Sequence, residues 1–200
     1  MKALSRGLIR RSPITIATTG MHTDPDAPDI TGAREALLDA LHSAPAGTVV
    51  PLVLDGISLS ASCAAAVLMP SLSDVVGGKV PGRFVVVEDP SGRNRWDGDA
   101  GLKKESERLG RKLVCAWQSK ELDLVGAVDP QVRSTYDFVL GRWRTGGDGA
   151  TARDLAGHFD VSIQAASNRL SKASSLGLLY EADRETVSGG GAQFVFVPVM

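Results

Sequence analysis

The sequence is poor in the residues that build metal sites and disulfide frameworks. Its 200 residues include two cysteines and three histidines, and they lack the short paired spacing of a zinc site. Cys63 and Cys115 are far apart in apolar surroundings, which favours buried free thiols in a reducing compartment over a structural disulfide. We therefore expect neither a metal nor a cofactor.

The chain also lacks net charge and long apolar runs. Its 22 basic and 23 acidic residues nearly cancel, so the chain as a whole has no general affinity for polyanions. No run reaches the roughly 18 apolar residues of a membrane span, and the basic start is not followed by the apolar stretch of a secretory signal. We expect a cytoplasmic protein with no membrane partner, and its 43% apolar content is ample for a core.

The first 127 residues alternate strand and helix patterns, which predicts an α/β domain with a mixed sheet and helices packed on it. The predicted strands are Ile14–Thr18, Thr48–Leu54, Arg83–Glu88 and Lys112–Trp117. The predicted helices are Gly32–Ser43 with Thr31 as cap, a helix from Ser60 or Ser62 to Val76, and Ala100–Leu109 after a loop at 89–99. Pro51 favours an edge strand or a bulge at its position, because proline has no N–H for the ladder.

A second domain is predicted for residues 128–200. Asp129 followed by Pro130 is typical of a helix start, and the apolar spacing continues to Trp143. A short helix over 150–159, a turn over 160–162, a second helix and a glycine-tipped hairpin over 178–199 follow. Ser162 is the predicted cap of the second helix, and we expect Ile163 to lie in the core near the turn.

The second helix of this module leaves a small, mostly polar face for the outer surface. Its residues are Ser162, Gln164, Ala165, Asn168, Arg169 and Lys172. Gln164 and Asn168 are four residues apart, and such amides can pair with an adenine edge. Arg169 suits guanine or phosphate, Ala165 suits a thymine methyl group, and Lys172 suits a phosphate. The alternative is a merely solvated helix face.

The C-terminal module resembles the winged helix-turn-helix of bacterial repressors of the multiple-antibiotic-resistance and arsenic-responsive types. The residues that carry the likeness are Thr151, Leu155, Ala156, Val161, Ser162, Ala166, Ser167, Leu170 and the segment Leu176–Leu179. The resemblance implies an α+β domain that binds double-stranded DNA as a homodimer, with Arg184 in the wing as a further DNA contact. It thereby implies a sequence-specific transcription regulator with an N-terminal regulatory domain.

The charge of the same module keeps a second function open. From Asp129 to Met200 there are seven basic and eight acidic residues, whereas phosphate neutralisation supplies much of the affinity of DNA-binding modules. The alternative is a partner-switching or scaffold protein whose winged helix binds protein and which catalyses no reaction.

The stretch Leu52–Leu72 is similar to STAS-like domains, which are of the anti-sigma-factor-antagonist type. The likeness rests on Leu54–Asp55, on Gly56–Leu59 and on Ser62 at a helix start. It implies a domain for sensing, dimerisation or protein-partner binding, with Ser62 as a regulatory phosphosite. The simpler alternative is that Ser60 or Ser62 only caps the helix.

The sequence offers little support for an enzyme. Gly77-Gly78-Lys79 follows a helix and lacks the other residues of a phosphate-binding loop. Asp55 and Glu88 each lie at the end of a predicted strand, where α/β proteins bind ligands, so a metal-dependent hydrolase is the least favoured hypothesis. Trp96 is expected either to contact a partner or to pack against the sheet.

Overall fold

A parallel-rich sheet, helices and a C-terminal β-hairpin make this a mixed α/β protein. The computed structural model describes residues 8–146, 149–186 and 192–200, with the backbone alone at 184–186 and 192. The strands in this part are β1 (Ile9–Arg10), β2 (Ile14–Thr15), β3 (Gly20–His22), β4 (Thr48–Val53), β5 (Ile57–Leu59), β6 (Arg83–Glu88), β7 (Val114–Gln118), β8 (Leu122–Gly126), β9 (Leu179–Thr186) and β10 (Ala192–Pro198). The six helices in it are α1 (Pro28–Ser43), α2 (Ala61–Val76), α3 (Arg95–Leu109), α4 (Pro130–Gly146), α5 (Ala152–Phe159) and α6 (Ile163–Ser175).

The main sheet follows the order of the chain. Strands β1 and β2 lie along one side of β4, and β6, β7 and β8 continue on its other side. All of these pairings are parallel except that of β7 with β8. Because crossovers between parallel strands are right-handed, a sheet that grows in one direction puts every crossover helix on the same face. Helices α1, α2 and α3 accordingly share one core with that face, whose members include Leu37, Val50, Leu68, Val87 and Trp117.

The other face of the sheet is covered by the C-terminal module, a name used here for the described residues between 130 and 200. Val86 and Leu124 of the sheet lie in one continuous cluster with Tyr136 of α4 and with Val199. The Tyr136 hydroxyl donates to the carbonyl oxygen of Val199 at 2.9 Å inside this cluster. The predicted domain boundary between residues 127 and 128 stays a prediction. The same cluster contains residues from both sides of that boundary.

Three predicted helix caps are confirmed. Ser60, not Ser62, caps α2, since its Oγ accepts from Cys63 N at 3.3 Å. Ser162 caps α6 through a bond from Ala165 N at 3.2 Å. Asp129 precedes α4 as expected, and its Oδ1 accepts from Val132 N at 2.7 Å.

Two predicted helix starts are wrong. Helix α1 begins at Pro28, one turn before the expected cap Thr31, because a proline in the first turn needs no partner for an N–H. Helix α3 begins at Arg95 inside the expected 89–99 loop. The buried Asp89 carboxylate accepts from Asn94 N at 2.9 Å and thereby fixes the turn before this helix. Helix α4 also continues past Trp143, the last residue of its apolar pattern.

Pro51 does not mark an edge strand, because β4 has neighbours on both sides. Instead, the strand beside β4 is interrupted where Pro51 cannot donate a hydrogen bond. The strand beside β4 pairs at Ile9–Arg10, leaves the ladder, and pairs again at Ile14–Thr15, so the break lies beside Pro51. The expected strand over 14–18 is therefore shorter, and the missing proline N–H costs the sheet only a local gap.

Candidate nucleic-acid interface

Helices α5 and α6 are joined by a tight turn whose geometry is set by local hydrogen bonds. The α5 start is a capping box, in which Thr151 Oγ1 accepts from Asp154 N and Asp154 Oδ2 accepts from Thr151 N. Asp160 ends the helix in the left-handed conformation at φ 51°. Ser162 then caps α6. Two short helices are thereby held at a fixed angle with few residues between them.

Helix α6 buries one face and exposes the other. Ala166, Leu170 and Ala173 are fully buried in the core that the module shares with the sheet. The predicted contact residues Ser162, Gln164, Asn168 and Lys172 are exposed, and Ala165 and Arg169 are half-buried. The structure thus exposes four of the six residues and places Ala165 and Arg169 at the margin of the exposed surface.

Ile163 was expected in the core and is instead 55% exposed. It lies in the first turn of α6, and the buried face of the helix begins one turn later, at Ala166. A short apolar residue pattern does not reveal whether another element covers the first turn. The exposed surface at the start of α6 is therefore more apolar than the sequence predicted.

The two amide side chains on α6 contact each other. Gln164 Nε2 donates to Asn168 Oδ1 at 3.1 Å along the helix. This bond uses one donor and one acceptor and leaves an acceptor on Gln164 and a donor on Asn168. An adenine edge in the major groove presents one donor and one acceptor. The amide pair therefore has the atoms that such an edge requires.

Arg169 is positioned by an aromatic cluster that the sequence did not predict. Its guanidinium lies 5.4 Å from the ring centroid of Phe159. The rings of Phe138 and His158 are 4.5 Å apart, and the His158 ring is 4.6 Å from Phe159. These aromatic residues line an open groove of about 630 Å³ between α4 and α5. The groove was hard to foresee because its residues come from two helices separated by a loop.

Lys172 is held by an ion pair. Its Nζ donates to Asp129 Oδ2 at 2.7 Å, and Lys112 Nζ donates to the same oxygen at 2.8 Å. Hydrogen bonds from Lys112 and then Lys172 hold the pKa of Asp129 well below its usual range. A phosphate bound by Lys172 would have to compete with this carboxylate.

The side chain of Arg184, the predicted contact on β9, lies outside the described residues, as does the hairpin tip.

The N-terminal candidates Ser62, Asp55 and Glu88 each have their own surroundings. Ser62 is exposed in the first turn of α2, and its Oγ lies 3.0 Å from Ser60 Oγ. Asp55 is exposed in a turn, and the Glu88 carboxylate pairs with the Arg10 guanidinium. In the described part of the chain no group of three histidine, cysteine, aspartate or glutamate side chains is placed to hold a metal.

Two further expectations are resolved by burial. Cys63 and Cys115 are both buried and free, as predicted, and desolvation raises the pKa of Cys115 to about 12. Trp96 is 75% exposed and so does not pack against the sheet. Within the described residues, no helix combines the length and apolar content required to cross a membrane.

Comparison with known proteins gives no relative on which to base a function. No protein-family model matches the chain, and searches of curated proteins and of solved structures also found no match. Function is therefore argued from the geometry of the chain itself.

Proposed function

We propose that this protein is a sequence-specific DNA-binding transcription regulator. In this proposal the C-terminal module is a winged helix-turn-helix, α6 is its recognition helix, and the STAS-like N-terminal part is its regulatory domain. The observation that carries the proposal is the exposed Gln164–Asn168 pair on α6, directly after a short helix and a tight turn. A helix presented in this way fits the major groove of B-DNA.

Each of the predicted contact residues has a role in the proposed complex. Gln164 and Asn168 read adenine, and Ala165 contacts a thymine methyl group. Arg169 addresses guanine or phosphate from its position beside Phe159. Ser162 and Lys172 contact the DNA backbone, and so does Arg184 from the wing.

The proposed regulator acts as a homodimer. A single α6 spans few base pairs, and two copies separated by one helical turn of DNA give the usual specificity of such proteins. Sedimentation of the full chain with and without operator DNA measures this state. A monomer in both conditions would contradict the dimer proposal but not DNA binding itself.

Selection of binding sites from a random duplex library tests DNA binding. The full chain is expected to enrich one motif, and enrichment is expected to be stronger at low salt than at near-physiological salt. No enriched motif at micromolar protein in low salt would refute the proposal. A gel shift on the enriched duplex then supplies the affinities of variants.

Substitution of Gln164, Asn168 and Arg169 together by Ala tests whether these α6 residues recognise the base sequence. Each good base contact is worth about 1–3 kcal/mol, so affinity for the selected motif is expected to fall at least ~100-fold. Weak binding to unrelated duplexes is expected to remain. Lys120→Ala removes an exposed charge on the turn between β7 and β8 and is the matched control, with unchanged affinity expected.

A partner-switching function is the second candidate. The ion pair of Lys172 with Asp129 favours it, because this lysine is then less available to a phosphate. The module combines a formal excess of acidic residues with the open aromatic groove beside α5, and both features suit a protein partner better than a polyanion. In this alternative, phosphorylation of the exposed Ser62 controls binding of the partner. The helix itself accepts the phosphate, because negative charge in the first turn of α2 is favourable. A complex that forms without nucleic acid and dissociates on Ser62→Asp, but not on Ser43→Asp at the exposed end of α1, would support it.

A further inference from the structure

A cavity of about 390 Å³ lies between α2 and α3, on the side of the sheet opposite the C-terminal module. Its lining residues are Pro25, Ala61, Ser62, Ala65, Ala66, Met69, Gly101, Lys104, Glu105 and Arg108. This volume falls within the range of small-molecule sites. Among the residues given a role above, Ser62 is the one that lines this cavity.

The packing of α3 against α2 explains why the cavity exists. The two helices meet closely at Gly101, where a Cβ atom would overlap the carbonyl oxygen of Ala61. Next to this contact, α2 presents Ala65 and Ala66, whose methyl groups leave the space between the helices unfilled. Met69, one turn further along α2, supplies a flexible apolar wall. The interior of the cavity is therefore apolar.

The charges at the cavity come from α3. Lys104 and Arg108 are one turn apart, and Arg108 Nε donates to Glu105 Oε2 at 2.7 Å. In the part of the chain that the structure describes, Lys104 has no ion-pair partner within 4.0 Å. The exposed positive charge of Lys104 therefore lies beside the apolar cavity without an ion-pair partner among the described residues. The Ser62 hydroxyl, on the facing helix, adds a neutral hydrogen-bonding group.

We propose that this cavity binds a small monocarboxylate with an apolar body. The carboxylate pairs with Lys104 and the apolar body lies against Ala66 and Met69. At roughly 30 Å³ for each water-sized group, the cavity of about 390 Å³ has room for at most about thirteen non-hydrogen atoms, which is enough for a medium-chain fatty acid. The proposal concerns the N-terminal part of the chain and does not depend on DNA binding.

Titration with sodium octanoate, without DNA, tests the proposal on the full chain. The protein is labelled at its methionine methyl groups, and methyl NMR follows each one. The Met69 methyl lines the cavity, whereas Met21 is 77% exposed on β3 and outside it. Millimolar octanoate is expected to shift the Met69 signal in a saturable way and to leave the Met21 signal unchanged. Octylammonium, which has the same chain and the opposite charge, is expected to leave both unchanged.

Two variants test the positive charge of Lys104 and the free volume of the cavity separately. Lys104→Gln is expected to weaken octanoate binding at least threefold, whereas the matched change Lys120→Gln is expected to leave it unchanged. Ala66→Leu fills the cavity and is expected to abolish the Met69 shift while the Met21 signal keeps its position.

Three results would overturn the proposal. They are no Met69 shift with octanoate, equal shifts with octylammonium, and unchanged octanoate affinity after Lys104→Gln. A failed site selection with DNA would leave these measurements unaffected, so the two proposals fail separately.

Discussion

Replacement of Asp129 by Asn removes one charge at the point where the sheet, α4 and α6 meet. The carboxylate accepts from Lys112 and Lys172 through Oδ2 and from Val132 N through Oδ1. The Asn side chain keeps an oxygen for the Val132 N–H. The change therefore isolates the two ion pairs from the helix cap.

The expected loss of stability is modest because the lysines are partly solvated. Their side chains are 47% and 44% exposed, and that of Asp129 is 20% exposed, so each pair is worth only about 0.5 kcal/mol after screening. The negative charge at the start of α4 adds about 0.5 kcal/mol. Asp129→Asn should thus lower the free energy of unfolding at neutral pH by about 1–2 kcal/mol. Asp129→Ala also removes the cap and should cost about 1 kcal/mol more.

The pH dependence of this difference has a definite sign. The lysines lower the pKa of Asp129 in the folded protein, and a lowered folded pKa stabilises the fold above the unfolded pKa of about 3.9. This stabilisation is lost as the pH falls toward the folded pKa. The difference between wild type and Asp129→Asn should therefore be constant from neutral pH to about pH 5 and smaller by about 1 kcal/mol at about pH 3.

Urea unfolding followed by tryptophan fluorescence and circular dichroism measures both quantities. Asp26→Asn is the matched control, since Asp26 is exposed and forms no ion pair within the described part of the chain. The reasoning would be refuted by equal stability of wild type and Asp129→Asn at neutral pH. It would also be refuted by a difference that keeps its full size at about pH 3.

Three other perturbations test the packing. Tyr136→Phe removes the buried bond to Val199 and should lower the free energy of unfolding by about 1–3 kcal/mol in urea titrations. Gly101→Ala should lower it by about 1–3 kcal/mol, because the added methyl group overlaps the Ala61 carbonyl oxygen and forces α2 and α3 apart. Cys115, whose pKa burial raises to about 12, should not react with a thiol reagent in the native protein and should react fully in concentrated guanidinium.

Controls for these changes are available in the chain. Gly141 lies in α4 with no atom near its missing Cβ, so Gly141→Ala should be neutral or stabilising by up to about 1 kcal/mol. Destabilisation by Gly141→Ala equal to that by Gly101→Ala would show that helix packing is not the cause. Rapid labelling of native Cys115 would contradict its burial, and unchanged stability of Tyr136→Phe would contradict the bond to Val199.

Features that depend on neighbouring residues could be predicted from the sequence. Ser60, Asp129 and Ser162 each precede a helix and cap it through a bond to a backbone N–H three residues ahead. The polar face of α6 followed from helical periodicity, and the structure exposes that face. Such features require no knowledge of the tertiary fold.

Features that depend on distant residues could not be predicted. The Lys172 partner Asp129 is 43 residues away, and no sequence pattern relates the two. Pro51 predicted either an edge strand or a bulge, and the sequence could not decide between them because the interruption of the neighbouring strand is set by strand pairing. The exposure of Ile163 depends on which elements pack over the first turn of α6. In each case the tertiary arrangement decides between two locally acceptable structures.

The C-terminal module is joined to the sheet by a short connection. Ala127, Val128 and Asp129 lead from β8 into α4, and α4 packs on the sheet, so the connection leaves little free chain for the module to move away from the sheet. In the proposed regulator, a stimulus at α2 or α3 must therefore pass through the sheet to reach α6, because α2 and α3 lie on one of its faces and α6 lies on the other.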